Sequence, residues 1–239
     1  MIWTQWQDHA PSGAQPPHET EGGRWCLAGQ GPVPTEATAQ AWLHWQPQVG
    51  RSRVRYHFAL GRVVHAAPEL GLHHVQQRLL LGMDGTGESE LSALHASAQC
   101  PTPVLRALLD AALQAWRAAP GAAQCLLVEL PGWRDERGRS PFWDGLVRAF
   151  LPGELQRQRE ALGPAFTSEL GLLLPQQPLH AVFLPEAARQ ALGRVRDDAG
   201  VWLAALQASG FAPWGRLRID DAGPVWAFSR GGSQAVLMR

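Results

Sequence analysis

The chain has no lysine: all 21 of its basic residues are arginine. A lysine Schiff base and a P-loop lysine are therefore excluded. Cysteine is scarce. Cys26, Cys100 and Cys125 are widely separated and form no C-x-x-C pair, so neither a disulfide framework nor a zinc knuckle is expected. Cys26 and Cys125 lie in apolar runs and read as core thiols. Net charge is missing too, with 21 acidic residues against 21 basic, which argues against nucleic acid as a partner. No apolar run approaches the ~20 residues that span a bilayer, so no membrane is implied. The start, Met1 to Trp6, lacks a basic residue followed by an apolar segment; no secretory signal is read, and a cytoplasmic location is expected. Nine histidines show no H-E-x-x-H spacing, and the adjacent His73 and His74 cannot share one face of a helix or strand. No metal is expected.

What is present is a chain of 239 residues, 45% hydrophobic and 18% charged, enough for one large core. Residues 7–23 are rich in Pro, Gly and polar side chains without apolar period. The division is therefore a flexible arm over 1–23 and a folded domain over 24–239. Arg24–Ala28 and Ala39–Trp45 read as strands, and Val54–Phe58 and Gly61–His65 continue extended. Arg51, Arg53 and Arg55 alternate; on a strand they would share one face, either as a site for carboxylates or phosphates or as an ordinary solvated face. Residues 69–82 read as a helix or an irregular apolar segment. Leu91–Ala96 reads as a strand. Thr102-Pro103 opens the clearest helix, with Thr102 as cap and apolar residues from Leu105 to Trp116 at three- and four-residue spacing. Cys125–Leu130 reads as a largely apolar run, as expected for a strand buried on both faces. Ser140-Pro141 opens a second helix carrying Phe142, Trp143, Leu146, Val147 and Phe150 inward. Helices over 154–162, 185–195 and 198–208, the last closed by Gly210, precede a hairpin of Arg216–Ile219 and Val225–Phe228. The order gives a mixed α/β layer fold.

Specific strings carry the reading further. Leu60–Leu70 (LGRVVHAAPEL), Asp84–Leu91 (DGTGESEL), Asp135–Trp143 (DERGRSPFW) and Gly163–Leu170 (GPAFTSEL) occur in order, followed by Phe183-Leu184 and Gly193-Arg194-Val195. Together they resemble the V-G-x-L-V-H-A-S-x-E-L, D-H-T-G-S-S-E-L, D-E-x-G-x-S-P-F-W and G-x-x-A-F-I-A-E-L segments of the bacterial arginine N-succinyltransferases. That resemblance implies a GNAT-type acyltransferase fold, with a central mixed, largely antiparallel sheet flanked by helices, truncated at both ends relative to the family. It also implies transfer of a succinyl group from succinyl-CoA to the α-amine of arginine, in arginine catabolism. Leu91–Ala96 would then be the splayed strand that pairs with pantetheine, Leu94 the succinyl-CoA-binding leucine with Ala93 and His95 beside it, and Thr102 the start of the pyrophosphate helix. His65, Glu90, Ser140 and Trp143 fall in the matched motifs and are assigned to substrate binding.

Two departures stand against that pattern. The family's basic, glycine-containing loop before the pyrophosphate helix is replaced by Ala98–Pro103, which has no Gly and no basic residue. Two of its residues are prolines without an N–H. The family's proton-donor histidine is replaced by Arg196, which stays protonated and cannot supply and recover a proton. His180, His95 and Tyr56 are the substitutes the sequence offers. The expectation is an arginine N-succinyltransferase-like protein of degenerate activity, with succinyl-CoA as co-substrate, arginine as amine and no tightly bound cofactor. The alternatives are a non-catalytic partner or regulatory subunit that kept the fold, assembling with itself or a related subunit, and an unrelated α/β ligand-binding protein.

Overall fold

Strands from both halves of the chain join in one ten-stranded sheet. The computed structural model describes residues 1–14, 22–31, 35–119, 123–151 and 165–231. In chain order its strands are β1 (Ile2–Gln7), β2 (Arg24–Gln30), β3 (Ala39–Gln46), β4 (His57–Ala67), β5 (Leu72–Gly82), β6 (Ser89–Ala96), β7 (Cys125–Glu129), β8 (Leu179–His180), β9 (Ala212–Arg218) and β10 (Pro224–Ser229). Their spatial order is β1-β2-β3-β6-β7-β10-β9-β4-β5-β8. Every neighbouring pair is antiparallel except β6 and β7, which run parallel. A mixed, largely antiparallel sheet flanked by helices is thus what forms. No described helix is long and apolar enough to cross a membrane.

The parallel pair is the centre of the molecule, and the helix α1 (Thr102–Ala118) joins its two strands. Val104, Leu105, Leu108, Leu109, Ala112, Leu113 and Trp116 recur at helical spacing and are all buried. They pack on Leu43 of β3, Leu91 of β6, and Leu126 and Val128 of β7. The opposite face of β7 buries Cys125 and Leu127 against Trp214, Val225 and Ala227, so this strand is enclosed on both sides. Burial pushes the Cys26 thiol up to about 12, as befits an inert core side chain. A second core gathers Phe58, Leu79, Leu81 and Leu217 under α2 (Pro141–Gly145), α3 (Ala165–Leu173) and α4 (Glu186–Gln190).

The structure corrects several expectations. Residues 2–7, assigned to a flexible arm, form β1, paired along its whole length with β2; Trp6 meets Trp45 edge-on at 6.1 Å. Within 69–82, Leu72–Gly82 is a strand rather than a helix, because Gly71 (φ 63°) closes a tight turn and eleven residue pairs then hold β5 to β4. The arginine stripe does not lie on a strand: Arg51 and Arg53 sit exposed in bends while Arg55 is buried. Thr102 is the first helical residue, not the cap; Pro101 holds the cap position, and no side chain caps the helix. The second helix stops at Gly145, and Val147–Phe150 follow as a 3-10 turn that leaves Phe150 exposed. The 185–195 helix is only Glu186–Gln190, since Gly193 (φ 72°) turns the chain and Val195 bridges to Gly132. The expected 198–208 helix is α5 (Gly200–Ala208), followed by Gly210 at φ 86°. The predicted helix at 154–162 lies outside the described residues.

Candidate functional site

β6 and β7 begin paired and then part. Their register runs Ser89–Leu126, Glu90–Leu127 and Leu91–Val128, and ends there. The cause is local. Trp42 and His44 of β3 face His95 and Ser92, so Ala93 and Leu94 together oppose the single residue Leu43, and Ala93 sits at φ 50°. This is a β-bulge, which bends the strand that carries it away from its neighbour. Past Glu129 the chain turns its freed edge to another segment: Trp133 N–H donates to the Arg194 carbonyl and Arg196 N–H to the Pro131 carbonyl, each at 2.9 Å. Leu130 N–H donates to Pro224 on the β10 side. Backbone groups alternate in direction along a strand, so Pro131 and Trp133 face the side that β6 has left. The result is a wedge between Ser92–Ala96 and Pro131–Trp133, lined along one edge by Arg194–Arg196.

The bulge has a testable cost. A left-handed conformation strains any residue with a Cβ, by ~1–2 kcal/mol, and glycine relieves it at the expense of a more flexible unfolded chain. Ala93→Gly should therefore raise stability by about 0.5–1 kcal/mol in urea unfolding. A lower midpoint would mean that the Ala93 side chain stabilises the wedge by packing.

At the base of the wedge lies a buried ionic cluster. Arg55 donates through Nη2 to Glu90 of β6 and, at 2.7 Å, to Oε1 of Glu129 at the end of β7. His57 Nε2 lies 2.8 Å from the same Glu129 oxygen. Arg218, at the end of β9, reaches Glu129 Oε2 at 3.6 Å, Asp220 Oδ2 at 2.9 Å and Asp221 Oδ1 at 3.0 Å. Burial alone would raise the Glu129 carboxyl, but Arg55, the His57 hydrogen bond and Arg218 outweigh it and hold it well below the usual carboxylate range. Asp221 is raised, chiefly by burial and with Asp220 adding, against the opposing pull of Arg218. The turn carrying Asp221 packs directly on the extension of β7: a Cβ on Gly132 would come within 2.1 Å of the Asp221 carbonyl oxygen. Among these groups, Arg55, Tyr56, Glu129, Thr167, Arg218, Ile219 and Asp220 enclose a cavity of about 10 Å³, room for one water. The cluster ties β4, β6, β7 and the β9–β10 turn together; it does not offer space for a substrate.

The residues singled out from sequence end up in different places. Ala93, Leu94 and His95 lie on the bulged half of β6, with Ala93 and Leu94 half-buried. The His95 ring stacks on Trp42 at 3.7 Å, and burial lowers its pKa. Thr102 is exposed at the start of α1. Glu90 is locked to Arg55. Ser140 is a helix cap, its Oγ accepting the Trp143 N–H at 3.2 Å, and Trp143 is half-buried beside Phe166, with ring centroids 5.9 Å apart. His65 of β4 and His180 of β8 come together, rings 6.0 Å apart, beside the β4–β5 hairpin. Tyr56 packs where a Cβ on Gly171 of α3 would clash at 2.0 Å. Arg196 is partly exposed at the wedge edge and paired with Asp198 at 2.5 Å. Among the described residues no three His, Cys, Asp or Glu are placed to hold a metal ion.

Glu129, His57, Arg218, Asp220 and Asp221 were not foreseen as members of a cluster. The available signal was Glu129, a single acid closing an otherwise apolar run. Asp220-Asp221 read simply as a turn.

The family model described as arginine N-succinyltransferase beta subunit matches residues 42–231. The arginine N-succinyltransferase subunit beta of Pseudomonas aeruginosa is 36% identical over 181 residues, covering 74% of this chain and 53% of that protein. The arginine N-succinyltransferase of Yersinia enterocolitica is 31% identical over 181 residues, 74% of this chain and 52% of that one. The chain therefore spans about half the length of these relatives. Among solved structures, the arginine/ornithine succinyltransferase subunit AI from Pseudomonas aeruginosa superposes with a TM-score of 0.64 at 20% identity, over 90% of this chain and 62% of that one, a likeness of fold.

Proposed function

Because the chain belongs to the arginine N-succinyltransferase family, we propose that its wedge is the acyl-CoA site of that family and that succinyl transfer to arginine is degenerate in this chain. The wedge supports the first half. Between two parallel strands that part at a bulge, the main chain of Ser92–Ala96 has no β7 partner and can pair with the amides of a pantetheine arm. Ala93 and Leu94, at the bulge, are the residues that arm would meet.

The start of α1 carries the second half. A pyrophosphate is held at a helix N-terminus by unused N–H groups. Here Pro101 and Pro103 have none, and the Val104 N–H turns to the Pro101 carbonyl at 2.9 Å. Of the four positions from Pro101 to Val104, whose N–H groups a helix start leaves unused, only Thr102 has an N–H not directed at Pro101. The preceding Ala98–Pro101 adds no glycine and no cation.

Chemistry is weakened at a second point. Direct transfer requires a neutral amine to attack the thioester, donors at the tetrahedral oxyanion, and a proton for the departing thiolate. Arg196, at the wedge edge, can stabilise negative charge but not deliver a proton. The proposed substitutes do not converge: His95 stacks on Trp42, Tyr56 packs on α3, and His180 lies with His65 beside the hairpin.

A cytoplasmic protein that keeps the fold as a non-catalytic partner of a related subunit is the second reading, favoured by the same two departures. Thiol release from succinyl-CoA, with and without arginine, tests the proposal; arginine-dependent turnover by the purified chain at the rate of an intact family member would sink it.

A further inference from the structure

Beyond Ala59 the sheet narrows to two strands. β9 pairs with β4 only at His57–Ala59, and β8 meets β5 only at Arg78 and Leu79. From there β4 and β5 continue without another strand partner among the described residues to the turn at Pro68–Gly71, the His180 ring lying 6.0 Å from that of His65, and no residue between Leu60 and Arg78 is buried. The ribbon is nevertheless apolar. Val64 and Val75, directly paired across it, are 58% and 49% exposed, and Leu70 and Leu72 at its tip are 73% and 59% exposed. A two-stranded ribbon is marginal in water, and an exposed apolar one is a mark of an interface.

The outer edge of β4, from Leu60 to Ala67, presents main-chain groups that no described strand pairs. The edge has no lysine, no proline before Pro68 and no bulge in its register with β5; Arg62 is its one arginine. Such an edge accepts an added strand.

The charges along it say which one. Between His57 and Gly82 the only acid is Glu69, and it lies at the opposite end of the free edge from Arg62. A second copy of β4 added antiparallel about a two-fold axis brings the Arg62 end of each copy beside the Glu69 end of the other. A parallel addition would set like charges together. Two-fold pairing of identical edges also closes the sheet, leaving no free β4 edge, and it extends the Val64–Val75 face across four strands.

We propose that the chain forms a two-fold dimer by antiparallel pairing of β4 with β4 of a second copy. This assembly does not depend on the wedge binding an acyl-CoA. Sedimentation equilibrium of the full chain, from about 5 to 200 µM, should give twice the 26.1 kDa of one chain at the upper concentrations. Arg62→Glu and Glu69→Arg should each weaken association about tenfold, since two like-charge contacts replace two attractive ones. The double variant should restore it. At concentrations low enough for the parent to be monomeric, all three variants should melt where it does, because both positions are exposed on the ribbon. A monomer at 200 µM would overturn the proposal, as would a dimer indifferent to either single change or one that the double variant fails to rescue.

Discussion

Purified chain supplied with succinyl-CoA and arginine should show arginine-dependent thiol release at least ~10²–10⁴-fold below that of an intact family member. General acid catalysis contributes about that factor. With Arg196 at the wedge edge, the thiolate must leave unprotonated or draw its proton from water. A guanidinium nearby still offsets part of the developing charge, so the loss belongs at the milder end if Arg196 reaches the thioester. On the proposed reading, the missing N–H groups at the start of α1 should compound the loss through binding. The proposed reading has two separable parts, so Arg196→His alone should not restore turnover: Pro101 and Pro103 would still lack N–H groups at the start of α1. Recovery by that single change would show that the proton, and not the cofactor, was limiting.

Replacing Glu129 with glutamine should cost about 3 kcal/mol of stability, the lower end of the range for breaking a buried ion pair. Glu129 is the one carboxylate shared by Arg55, His57 and Arg218. Arg55 keeps Glu90 and Arg218 keeps Asp220 and Asp221, which limits the penalty. In a chain of this length the melting temperature should fall by ~6–12 °C. The effect should depend on pH in a defined sense. The folded Glu129 pKa is depressed, so its contribution is fully present above the ordinary carboxylate value of ~4.3 and is lost as pH falls through the lower, folded value. The stability difference between parent and Glu129→Gln in urea should therefore shrink as pH falls below about 4. A difference that persisted or grew below about pH 4 would contradict the charge assignment.

Much of the central architecture was legible because it rests on short-range chemistry. Pro103 and the spacing from Leu105 to Trp116 specify α1, and the apolar run Cys125–Val128 specifies a doubly covered strand. Adjacent parallel strands joined by that helix follow from these local signals. What was not legible depends on distant partners. Arg55 is buried because Glu90 and Glu129, 35 and 74 residues away, receive it; an alternating arginine stripe carries no record of that. Asp220 and Asp221 satisfy the local requirements of a hairpin turn, which hides their pairing with Arg218. β1 was missed because its partner lies across a Pro- and Gly-rich stretch, and pairing over such a gap leaves no periodic trace. The β5 segment was ambiguous for a different reason. Leu79, Leu80 and Leu81 are consecutive, so neither a two-residue nor a 3.6-residue period stands out, and only pairing with β4 decides.

Calorimetric titration of the chain with succinyl-CoA at moderate salt tests the central claim most directly. An intact cradle would add several charge-assisted hydrogen bonds to the pyrophosphate, each worth ~1.5–3 kcal/mol. With only the Thr102 N–H uncommitted to Pro101, the dissociation constant should lie well above the low-micromolar range, roughly 100 µM or weaker. A low-micromolar or tighter value would contradict the account, because it would mean that the wedge and the start of α1 hold the cofactor as well as an undamaged site.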